Sequence, residues 1–536
     1  MAFRQQSVGI SGVEYNTNEH DPRISQDIKD DNVDHHEMEG LRSFAQDTTL
    51  HGARFLFADN ACRRLLWTLA TISCLTYCGY QVFTCLMQFN KRPFNTKITT
   101  HLSTDSSELL FPAVTLCNLN GMNTRRYKQL VSQFYSEERI ERKIKDISLM
   151  LSRSNEILSE EFKQRNPEYF RRPKKANYTN EAQGAVGHQI EEMLLPSTSQ
   201  FNSCSIDGMQ CSANNFTGYL TPMFGKCFTF NSAKGADNPP LQATLAGENS
   251  GLKLRLNIER ESYVANPLRP FVGLAILIHD QKSFPSVEDF GIKIQPGVST
   301  LIAIKRRKII NLKEPYATNC TDRTLDVFNS DKHSNYTKAA CLMKCRNDHT
   351  IKACGCSPAK FKAKSSVPIC APNDTILCVY RSQEEFGASA EKNKCEKDCP
   401  EPCYHTKYKT SFSYSGLQRE PLIEHLMSLL NDTDEKLSVN RAIYEPLLNM
   451  TKSEKEKYID DNIISLDIYF EDLSFDIIEQ TPLYETWALI GNLGGTFGLF
   501  LGMSCLTILE FLDFVFRKIF YLLRGQRKAR TVNAEY

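Results

Sequence analysis

The sequence has no excess of either charge, since 64 Lys and Arg residues balance 63 Asp and Glu residues over 536 positions. A nucleic-acid-binding protein normally carries a basic excess, so the balance argues against that class and predicts no nucleic-acid partner. Mean hydropathy is −0.38, which excludes a chain embedded mostly in a bilayer but leaves room for one or two spans. Aromatic residues reach 10%, which argues against disorder throughout the chain.

Common catalytic signatures are missing as well. The sequence has no Gly-x-Ser-x-Gly nucleophile motif, no His-Glu-x-x-His zinc motif and no glycine-rich phosphate-binding loop. His279 and Asp280 are adjacent, but one such pair is weak evidence for catalysis. We therefore predict that the protein is not an enzyme, and nothing in the sequence calls for a cofactor or a metal site.

Long apolar runs are few, and only two are long enough to cross a bilayer. Residues 65–87 contain no charge, and residues 486–512 contain one, Glu510. About 20 apolar residues suffice for a transmembrane helix. A buried core helix is the alternative, but uncharged runs of this length are uncommon in soluble domains. We predict two transmembrane helices with these bounds, and hence contact with membrane lipid.

The flanking charges predict the orientation of the two spans. The first 50 residues are polar, lack the apolar core of a signal peptide and are predicted to be disordered. Basic residues lie just before the first span and after the second: Arg63, Arg64, Arg517, Lys518, Arg524, Arg527, Lys528 and Arg530. The positive-inside rule then places 1–64 and 513–536 in the cytoplasm and 88–485 outside the cell. The expected location is the plasma membrane.

Residues 88–485 carry two features of an extracellular domain. All seven candidate glycosylation sites lie there, at Asn177, Asn215, Asn319, Asn335, Asn373, Asn431 and Asn449. Fourteen of the 19 cysteines lie there too, and an even number in an oxidising compartment predicts seven disulfides. Zinc is the alternative, since Cys341 with Cys345 and Cys354 with Cys356 have tolerable ligand spacing. An extracellular location makes zinc the weaker choice.

Patterning predicts an α+β fold for this domain. Apolar residues alternate over 252–258 and 464–470, while 271–278 is a continuous apolar run, and 292–304 is two strands around a turn. Residues 124–172 have helical composition, and 320–403 holds ten cysteines in a module predicted to be helical or loop-rich. The fold class is therefore a two-span membrane protein with a large, disulfide-rich α+β ectodomain.

The second span carries two unusual stripes. The first is made of glycine, at positions that share one helical face, which favours close approach of another helix: Gly491, Gly495, Gly498 and Gly502. The second is mostly polar and lies on a neighbouring face: Asn492, Thr496, Met503, Thr507 and Glu510. Polar groups are costly in lipid and usually face a bundle interior or a water-filled path.

A pore is the leading interpretation of the polar stripe. One chain supplies only two spans, which are too few to enclose a pore, so several chains must assemble around it. Carboxylates near the cytoplasmic mouth, Glu510 and Asp513, would concentrate cations there. The sequence thus predicts a cation channel. A non-conducting two-span receptor is the structural alternative, and it would need no polar stripe.

Several motifs resemble those of one channel family, the degenerin/epithelial sodium channel superfamily, over residues 51–523. They begin with His51-Gly52 before the first span. They continue with Phe111-Pro-Ala-Val-Thr-Leu-Cys-Asn-Leu-Asn120, Gly187-His-Gln-Ile-Glu-Glu-Met-Leu-Leu195, Gly225-Lys-Cys-Phe-Thr-Phe-Asn231, Ile278-His-Asp-Gln281, the 336–345 segment, Cys399-Pro-Glu-Pro-Cys403 and the glycine-rich 494–504 segment.

The resemblance implies a homo- or heterotrimer that conducts sodium ions and is blocked by amiloride. It implies an ectodomain shaped like a hand, with palm, thumb, finger, knuckle and β-ball regions. Gly502, Met503 and Ser504 are implied to form the narrow selective segment, with the Ser hydroxyl and backbone carbonyls replacing part of the ion's water shell. His51-Gly52 is implied to form a re-entrant turn beneath the pore, and Asn492 and Gly495 to belong to the pore and its gate.

The resemblance also implies a disulfide pattern, and all fourteen of its positions are matched. The implied pairs are Cys117–Cys227, Cys204–Cys211, Cys320–Cys403, Cys341–Cys399, Cys345–Cys395, Cys354–Cys378 and Cys356–Cys370.

Three departures bear on the gating ligand. Met503 stands where acid-sensing members carry Ala, Asn492 stands where they carry Asp, and 88–92 lacks their His pair. These departures count against proton gating without excluding it. The sequence resembles invertebrate members of the family more than vertebrate ones, which favours the branch opened by an extracellular Phe-Met-Arg-Phe-amide neuropeptide. If the protein is a channel, gating by protons is the alternative to gating by a peptide. If it does not conduct by itself, it is a receptor or a silent partner subunit.

Overall fold

A computed structural model gives the fold. It describes residues 42–102, 109–153, 157, 159–171, 176–199, 201–221, 223–232, 239–281, 283–323, 335–358, 367–368, 370–431 and 438–532, with side chains undescribed over 176–180, 431, 438–440 and 521–532. Most of the N-terminal tail prediction therefore falls outside the described residues.

The described helices are listed here in chain order. They are α1 Ala61–Asn90, α2 Thr124–Val131, α3 Glu137–Leu151, α4 Glu160–Arg165, α5 Pro167–Phe170, α6 Ala176–Val186, α7 Ile190–Met193, α8 Val287–Phe290, α9 Lys338–Cys354, α10 Pro372–Asp374, α11 Tyr380–Ala388, α12 Ala390–Asp398, α13 Arg419–Asn431, α14 Ser438–Tyr444, α15 Lys452–Asn462, α16 Thr486–Leu501 and α17 Cys505–Val532. Short 3-10 turns cover Ala53–Phe57, Ala213–Asn215, Arg260–Ser262 and Glu445–Asn449, and a π-helical turn covers Thr375–Val379.

The described strands form two sheets. They are β1 Phe94–Leu102, β2 Ala113–Asn118, β3 Cys204–Ile206, β4 Met209–Gln210, β5 Phe216–Thr221, β6 Gly225–Phe230, β7 Leu252–Asn257, β8 Leu274–His279, β9 Ile292–Ile294, β10 Val298–Ile310, β11 Tyr404–Gly416 and β12 Ile463–Pro482. One sheet has the order β11-β10-β12-β7-β3-β4, with β1 also paired to β12, and the other has the order β5-β6-β2-β8-β9. The β10–β12 pair is parallel.

The chain divides into two compact units. A helical unit contains the described residues 42–93 and 482–532, and a sheet unit contains Phe94–Thr481. The two boundaries between these units, after residue 93 and before residue 482, lie within a few residues of the predicted ectodomain bounds at 88 and 485.

In the helical unit, α1 is the described helix that is long and apolar enough to cross a membrane by itself. Asn60 caps it by accepting a hydrogen bond from the Cys62 amide at 3.1 Å. The helix contains the whole predicted span 65–87. The prediction of disorder up to residue 50 is wrong for its last part, because 42–47 is helical and Phe44 stacks on Phe514 with ring centres 4.4 Å apart.

The second predicted span, 486–512, is not one continuous helix. It consists of α16 and the first part of α17, and the direction of the helix axis changes by 75° between them. The pair passes the same test of length and composition if it is taken as one broken span. The break therefore divides the predicted polar stripe, with Asn492 and Thr496 in α16 and Thr507 and Glu510 in α17. The glycine stripe stays on α16, and Gly502 follows its last residue.

In the sheet unit, the predicted strands form where the apolar patterns lie. β7 buries Leu252, Leu254 and Leu256 on the alternation that predicts it, and β2 is buried along its whole length. The predicted run 464–470 is the first part of β12, which is much longer. The main core joins both sheets through side chains such as Phe111, Phe230 and Ile304.

Helices and disulfides form the remainder of the sheet unit. The predicted helical region 124–172 contains α2 to α5, and the cysteine-rich region contains α9 to α12. The structure forms the same seven disulfides that the resemblance implies, which removes zinc as a role for these thiols. Five cysteines are free, at Cys62, Cys74, Cys78, Cys85 and Cys505.

Candidate pore segment

The break between α16 and α17 is made by a glycine. Gly502 follows the last residue of α16 in the left-handed conformation, with φ of 63° and ψ of 20°. Its amide donates to the Gly498 carbonyl at 3.0 Å, and the Met503 amide donates to the Phe497 carbonyl at 3.3 Å. These bonds satisfy carbonyls that the end of a helix leaves unpaired, so the chain leaves the helix with its last turn intact.

Ser504 then starts the next helix. Its hydroxyl accepts a hydrogen bond from the Thr507 amide at 3.3 Å, while its own amide donates to the Thr507 hydroxyl at 3.1 Å. This reciprocal pair is the arrangement of an N-cap, which typically contributes about 1 kcal/mol to a helix. The predicted selective segment Gly502, Met503 and Ser504 is therefore the whole connection between two helices.

The predicted re-entrant residues lie against this connection. The His51 amide donates to the Leu501 carbonyl at 3.1 Å, and a Cβ built on Gly502 would overlap the His51 imidazole. Position 502 therefore favours glycine for two reasons: the backbone there is left-handed, and the His51 ring occupies the space that a Cβ would need. The structure brings together His51, Gly52 and the 502–504 segment, which are about 450 positions apart in the sequence.

The turn that carries His51 is itself seated on α1. Gly52 has φ of 89°, and a Cβ there would lie 3.3 Å from the Thr71 hydroxyl oxygen. Phe55, in the 3-10 turn that follows, stacks on Trp67 with ring centres 4.5 Å apart. The re-entrant segment is therefore held between α1 and the end of α16.

Glu510, one of the two carboxylates predicted to lie near the cytoplasmic mouth, is hydrogen-bonded within the chain. One of its oxygens accepts hydrogen bonds from the Thr48 hydroxyl at 3.2 Å, the Thr49 amide at 3.1 Å and the Thr49 hydroxyl at 3.3 Å. Asp513, the second predicted carboxylate, pairs with Arg517 one helical turn later at 2.8 Å. Both charges are engaged within the chain, and Glu510 ties α17 to the segment just before His51.

Thr48, Thr49 and Thr507 form a cluster that the sequence reasoning missed in part. The Thr49 and Thr507 hydroxyl oxygens are 2.6 Å apart, and Thr507 is 4% exposed. Thr507 stands in the predicted polar stripe, but its partners on the other segment were not anticipated. The available signal was the pair of hydroxyl side chains at Thr48 and Thr49, separated from His51 by Leu50 alone.

The glycine-rich face of α16 has no partner in the described chain. A Cβ built on Gly491, Gly494 or Gly495 would meet nothing within 4 Å. Asn492 is exposed, and its carbonyl accepts the Thr496 hydroxyl at 2.8 Å. A helix face of this kind is expected to pack against another helix.

The candidate glycosylation sites occupy varied positions in the sheet unit. Asn215, Asn319, Asn335 and Asn449 are exposed, and Asn373 is half-buried. Asn177 and Asn431 lie in α6 and α13, where their side chains are outside the described part. Among the described residues, no group of three or more His, Cys, Asp or Glu side chains could hold a metal ion.

A buried charge network joins α2, α7 and the end of β7 in the sheet unit. Arg125 binds Glu192 and Glu259, each at 2.8 Å, and Arg126 binds Glu192 at 2.6 Å. His188 lies beside the two arginines and is 2% exposed. Its burial, and to a smaller extent the positive charges of Arg125 and Arg126, lower the pKa of His188 to about 3.

The pKa values of other buried titratable groups in the sheet unit are lowered as well. Burial lowers the pKa of His405 and of His425. Burial opposes ionisation of Asp146, but hydrogen bonds from Arg165 and Asn166 and the charge of Arg165 outweigh it and lower the pKa of the carboxyl. Folding therefore favours the neutral form of the two imidazoles and the ionised form of the Asp146 carboxyl.

Comparison with known proteins agrees with this geometry. The family model described as amiloride-sensitive sodium channel matches residues 44–514. The chain is 29% identical over 506 residues to the acid-sensing ion channel 1C of Danio rerio, covering 91% of this chain and 85% of that protein. It is 28% identical over 493 residues to the acid-sensing ion channel 2 of Rattus norvegicus, covering 89% and 86%. It is 27% identical over 521 residues to the acid-sensing ion channel 1 of Gallus gallus, covering 94% and 88%.

The match extends from the helix before His51 to the part of α17 just beyond Glu510 and Asp513, and so includes the helix break and the disulfide-linked sheet unit. The chain therefore belongs to the amiloride-sensitive sodium channel family, within the degenerin/epithelial sodium channel superfamily.

Proposed function

We propose that this chain is a pore-forming subunit of a sodium-selective, amiloride-sensitive channel that an extracellular ligand opens. The family is one of ion channels, so the chain is not an enzyme. In the proposed topology α1 and the α16–α17 pair cross the plasma membrane, with both termini in the cytoplasm and the sheet unit outside. Sodium ions would pass the 502–504 segment.

The observation that carries this proposal is the helix break itself. A polar connection of Gly502, Met503 and Ser504 leaves backbone groups outside any regular helix, and such groups are tolerated at membrane depth only where protein or water surrounds them. A water-filled path lined by this segment satisfies that condition. His51 is bonded to Leu501 just before the segment, and Thr507 is bonded to Ser504 at its end. These contacts support a fixed constriction at 502–504.

Assembly of three chains, as homo- or heterotrimer, is part of the proposal. One chain supplies one broken helix, which cannot enclose a path. The unpartnered face at Gly491, Gly494 and Gly495 supports close packing of the same helix from neighbouring subunits. Asn492 would then lie near the axis together with the predicted gate residue Gly495.

For the ligand, we favour a Phe-Met-Arg-Phe-amide type of peptide. His188, whose pKa is lowered to about 3, stays neutral under mild acid, and the pKa values of His405, His425 and Asp146 are lowered as well. A proton trigger needs groups that change charge in that range. His188 does not, and the lowered pKa values of His405 and His425 make these rings poorer proton acceptors, which supports a ligand other than the proton.

Proton gating is the second candidate, because the relatives reported above are named as acid-sensing channels. In either case β12 is the expected route to the pore. It ends at Pro482, and α16 begins at Thr486, so only three residues connect the longest strand of the sheet unit to the pore helix.

Expression in oocytes with ion substitution tests both parts of the proposal. Amidated peptides and steps to mildly acidic pH are applied to the same cells. A peptide-evoked, amiloride-blocked sodium current at constant pH is the expected result, and a current evoked by acid alone would replace the first candidate with the second. No current under any condition, from the chain alone or with related subunits, would refute conduction and leave a silent receptor.

A further inference from the structure

Positive charge is concentrated on one face of the sheet where β10 and β11 pair. The antiparallel register places Lys305 directly opposite Lys409, and Arg307 directly opposite Lys407. Directly opposite residues point to the same face, with Cβ atoms about 4.5–5.5 Å apart. These four residues, called the basic patch below, therefore form two rows of cations on one face. The whole chain has a net charge of only +1, so the patch is a local excess.

Carboxylates beside the patch neutralise only its β10 row. Asp472 accepts a hydrogen bond from Lys305 at 3.3 Å, and Asp476 lies 3.5 Å from the Arg307 Nε. The two lysines of β11 are exposed, and within the described part of the chain neither has a carboxylate at ion-pairing distance. The β11 row therefore keeps its full positive charge.

Protection of a sheet edge accounts for the β11 row alone. Lysines on an edge strand hinder its pairing with another chain, and β11 is an edge strand of its sheet. This role gives no reason for cations directly opposite them on β10, which lies between β11 and β12. Like charges directly opposite each other destabilise a sheet, and an anion bound across both rows would offset their repulsion.

Hydroxyl side chains extend the β11 row beyond the patch. Ser411, Ser413 and Ser415 are exposed and share the face of Lys407 and Lys409, because residues two apart on a strand point to the same side. The row from Lys407 to Ser415 is roughly 27 Å long at about 3.4 Å per residue. It contains no apolar side chain. A ligand that matches this row is long, anionic and polar along its whole length.

We propose that this face binds a sulfated polysaccharide, with sulfate groups at the basic patch and sugar hydroxyls along the three serines. Clusters of Lys and Arg are typical of surfaces that bind nucleic acids or heparin-like polymers. The inference rests on the proposed topology, which places the sheet unit outside the cell and so favours the second class. An acidic peptide would bring apolar side chains that the row does not accommodate, and a free sulfate would leave the serines unused.

Binding of a heparin oligosaccharide to the purified full-length protein tests the site without reference to current. Its affinity is measured by microscale thermophoresis and compared with that of the desulfated oligosaccharide, inorganic sulfate and polyglutamate. We expect binding of the sulfated oligosaccharide that weakens as salt is added, since salt screens exposed charges. The desulfated form and inorganic sulfate should bind about ten-fold more weakly or worse, because they engage fewer cations at once.

Two outcomes of this comparison would overturn the proposal. Equal affinity for the sulfated and desulfated oligosaccharides would show that sulfate is not recognised. Polyglutamate that binds as tightly as the sulfated oligosaccharide would replace the polysaccharide with an acidic peptide.

Variants of the patch locate the binding. Lys407→Gln with Lys409→Gln should weaken the affinity roughly ten-fold, since each exposed ion pair contributes a factor of up to about five. Lys407→Arg with Lys409→Arg keeps both charges and should retain the affinity. Lys394→Gln with Lys397→Gln, at exposed lysines of α12, removes the same charge and is the matched control that should change nothing.

The site is contradicted if the glutamine pair at 407 and 409 binds as the wild type does, or if the control loses as much affinity as that pair. A loss in the arginine pair would contradict recognition by charge. A protein that conducts sodium but does not bind the oligosaccharide would lose this inference alone.

Discussion

Among single residues, His188 shows how the fold fixes a protonation state. It is fully enclosed, and its Nδ1 lies 3.4 Å from the Asn123 side-chain nitrogen. Arg125 and Arg126 stand beside it, so a proton on the ring would add a third positive charge to a buried network. The ring is therefore neutral in the folded protein over the whole range in which a free histidine titrates.

This environment predicts a pH dependence of stability. The pKa of His188 is about 3 in the folded protein, below the unfolded value of about 6.5. The unfolded chain therefore binds the extra proton first, and stability is lost as the pH falls from about 6.5 towards 3, by about 1.4 kcal/mol per pH unit from this group. His188→Gln removes the effect, so its thermal stability should approach that of the wild type as the solution is acidified.

The measurement is the melting temperature of wild type and variant across this pH range. His101→Gln, at an exposed histidine of β1, is the matched control. A difference between wild type and His188→Gln that stays constant with pH would contradict the assigned state of His188.

Among the elements, the broken pore helix depends most on one backbone conformation. An L-residue in the left-handed conformation costs roughly 1–2 kcal/mol, and at Gly502 a Cβ would also overlap His51. Gly502→Ala is expected to straighten or displace the break and to abolish or strongly reduce current, with surface expression retained. Current amplitude and surface labelling of the same cells measure this.

Gly79→Ala is the matched control for that variant. Gly79 lies within α1, where a Cβ would meet nothing within 4 Å, and alanine is the better helix former. Its current should equal that of the wild type. Adding His51→Ala to Gly502→Ala removes the overlap but not the strained φ, so it should restore current only in part. Full wild-type current from Gly502→Ala alone would show that the break does not need glycine.

The sheet elements could be predicted from the sequence because burial on a strand leaves a period of two. Leu252, Leu254 and Leu256 show it, and β7 forms there. The helix break could have been predicted as well, since Gly502 and Ser504 are standard signals for the end of one helix and the start of the next. The continuous apolar run 486–512 favoured one unbroken helix instead. Apolar content indicates that a segment can cross a membrane, but it carries no information on the backbone angle at a single glycine.

The partners of Glu510 could not be predicted from the sequence. They are Thr48 and Thr49, which lie more than 450 positions away in a region predicted to be disordered. Such a contact depends on tertiary packing and leaves no periodic trace. The seven disulfides illustrate the same limit, because the cysteine count alone predicts their number, whereas the pairing came from resemblance to a family.

At the scale of the whole molecule, the two units differ in how their structures are stabilised. The sheet unit has a large apolar core and seven disulfides, which limit the freedom of its unfolded state. The helical unit leaves most of α1 exposed, with Leu66 and Phe83 at 65% and 63%, as expected of a surface that lipid and other subunits cover. A disulfide-linked sheet unit joined to a helical unit suits the proposed channel, in which ligand binding and ion conduction occur in different places.

Reversal potentials of Ser504 variants under sodium–potassium bi-ionic conditions test most directly whether residues 502–504 select the ion. Ser504→Thr keeps the capping hydroxyl, Ser504→Ala removes it, and Ser504→Phe narrows the path. We predict a sodium-selective current for the wild type and Ser504→Thr, a weakened preference for Ser504→Ala, and an altered permeability ratio or no current for Ser504→Phe despite normal surface expression. A Ser504→Phe channel with wild-type current and an unchanged permeability ratio would show that the ions pass elsewhere.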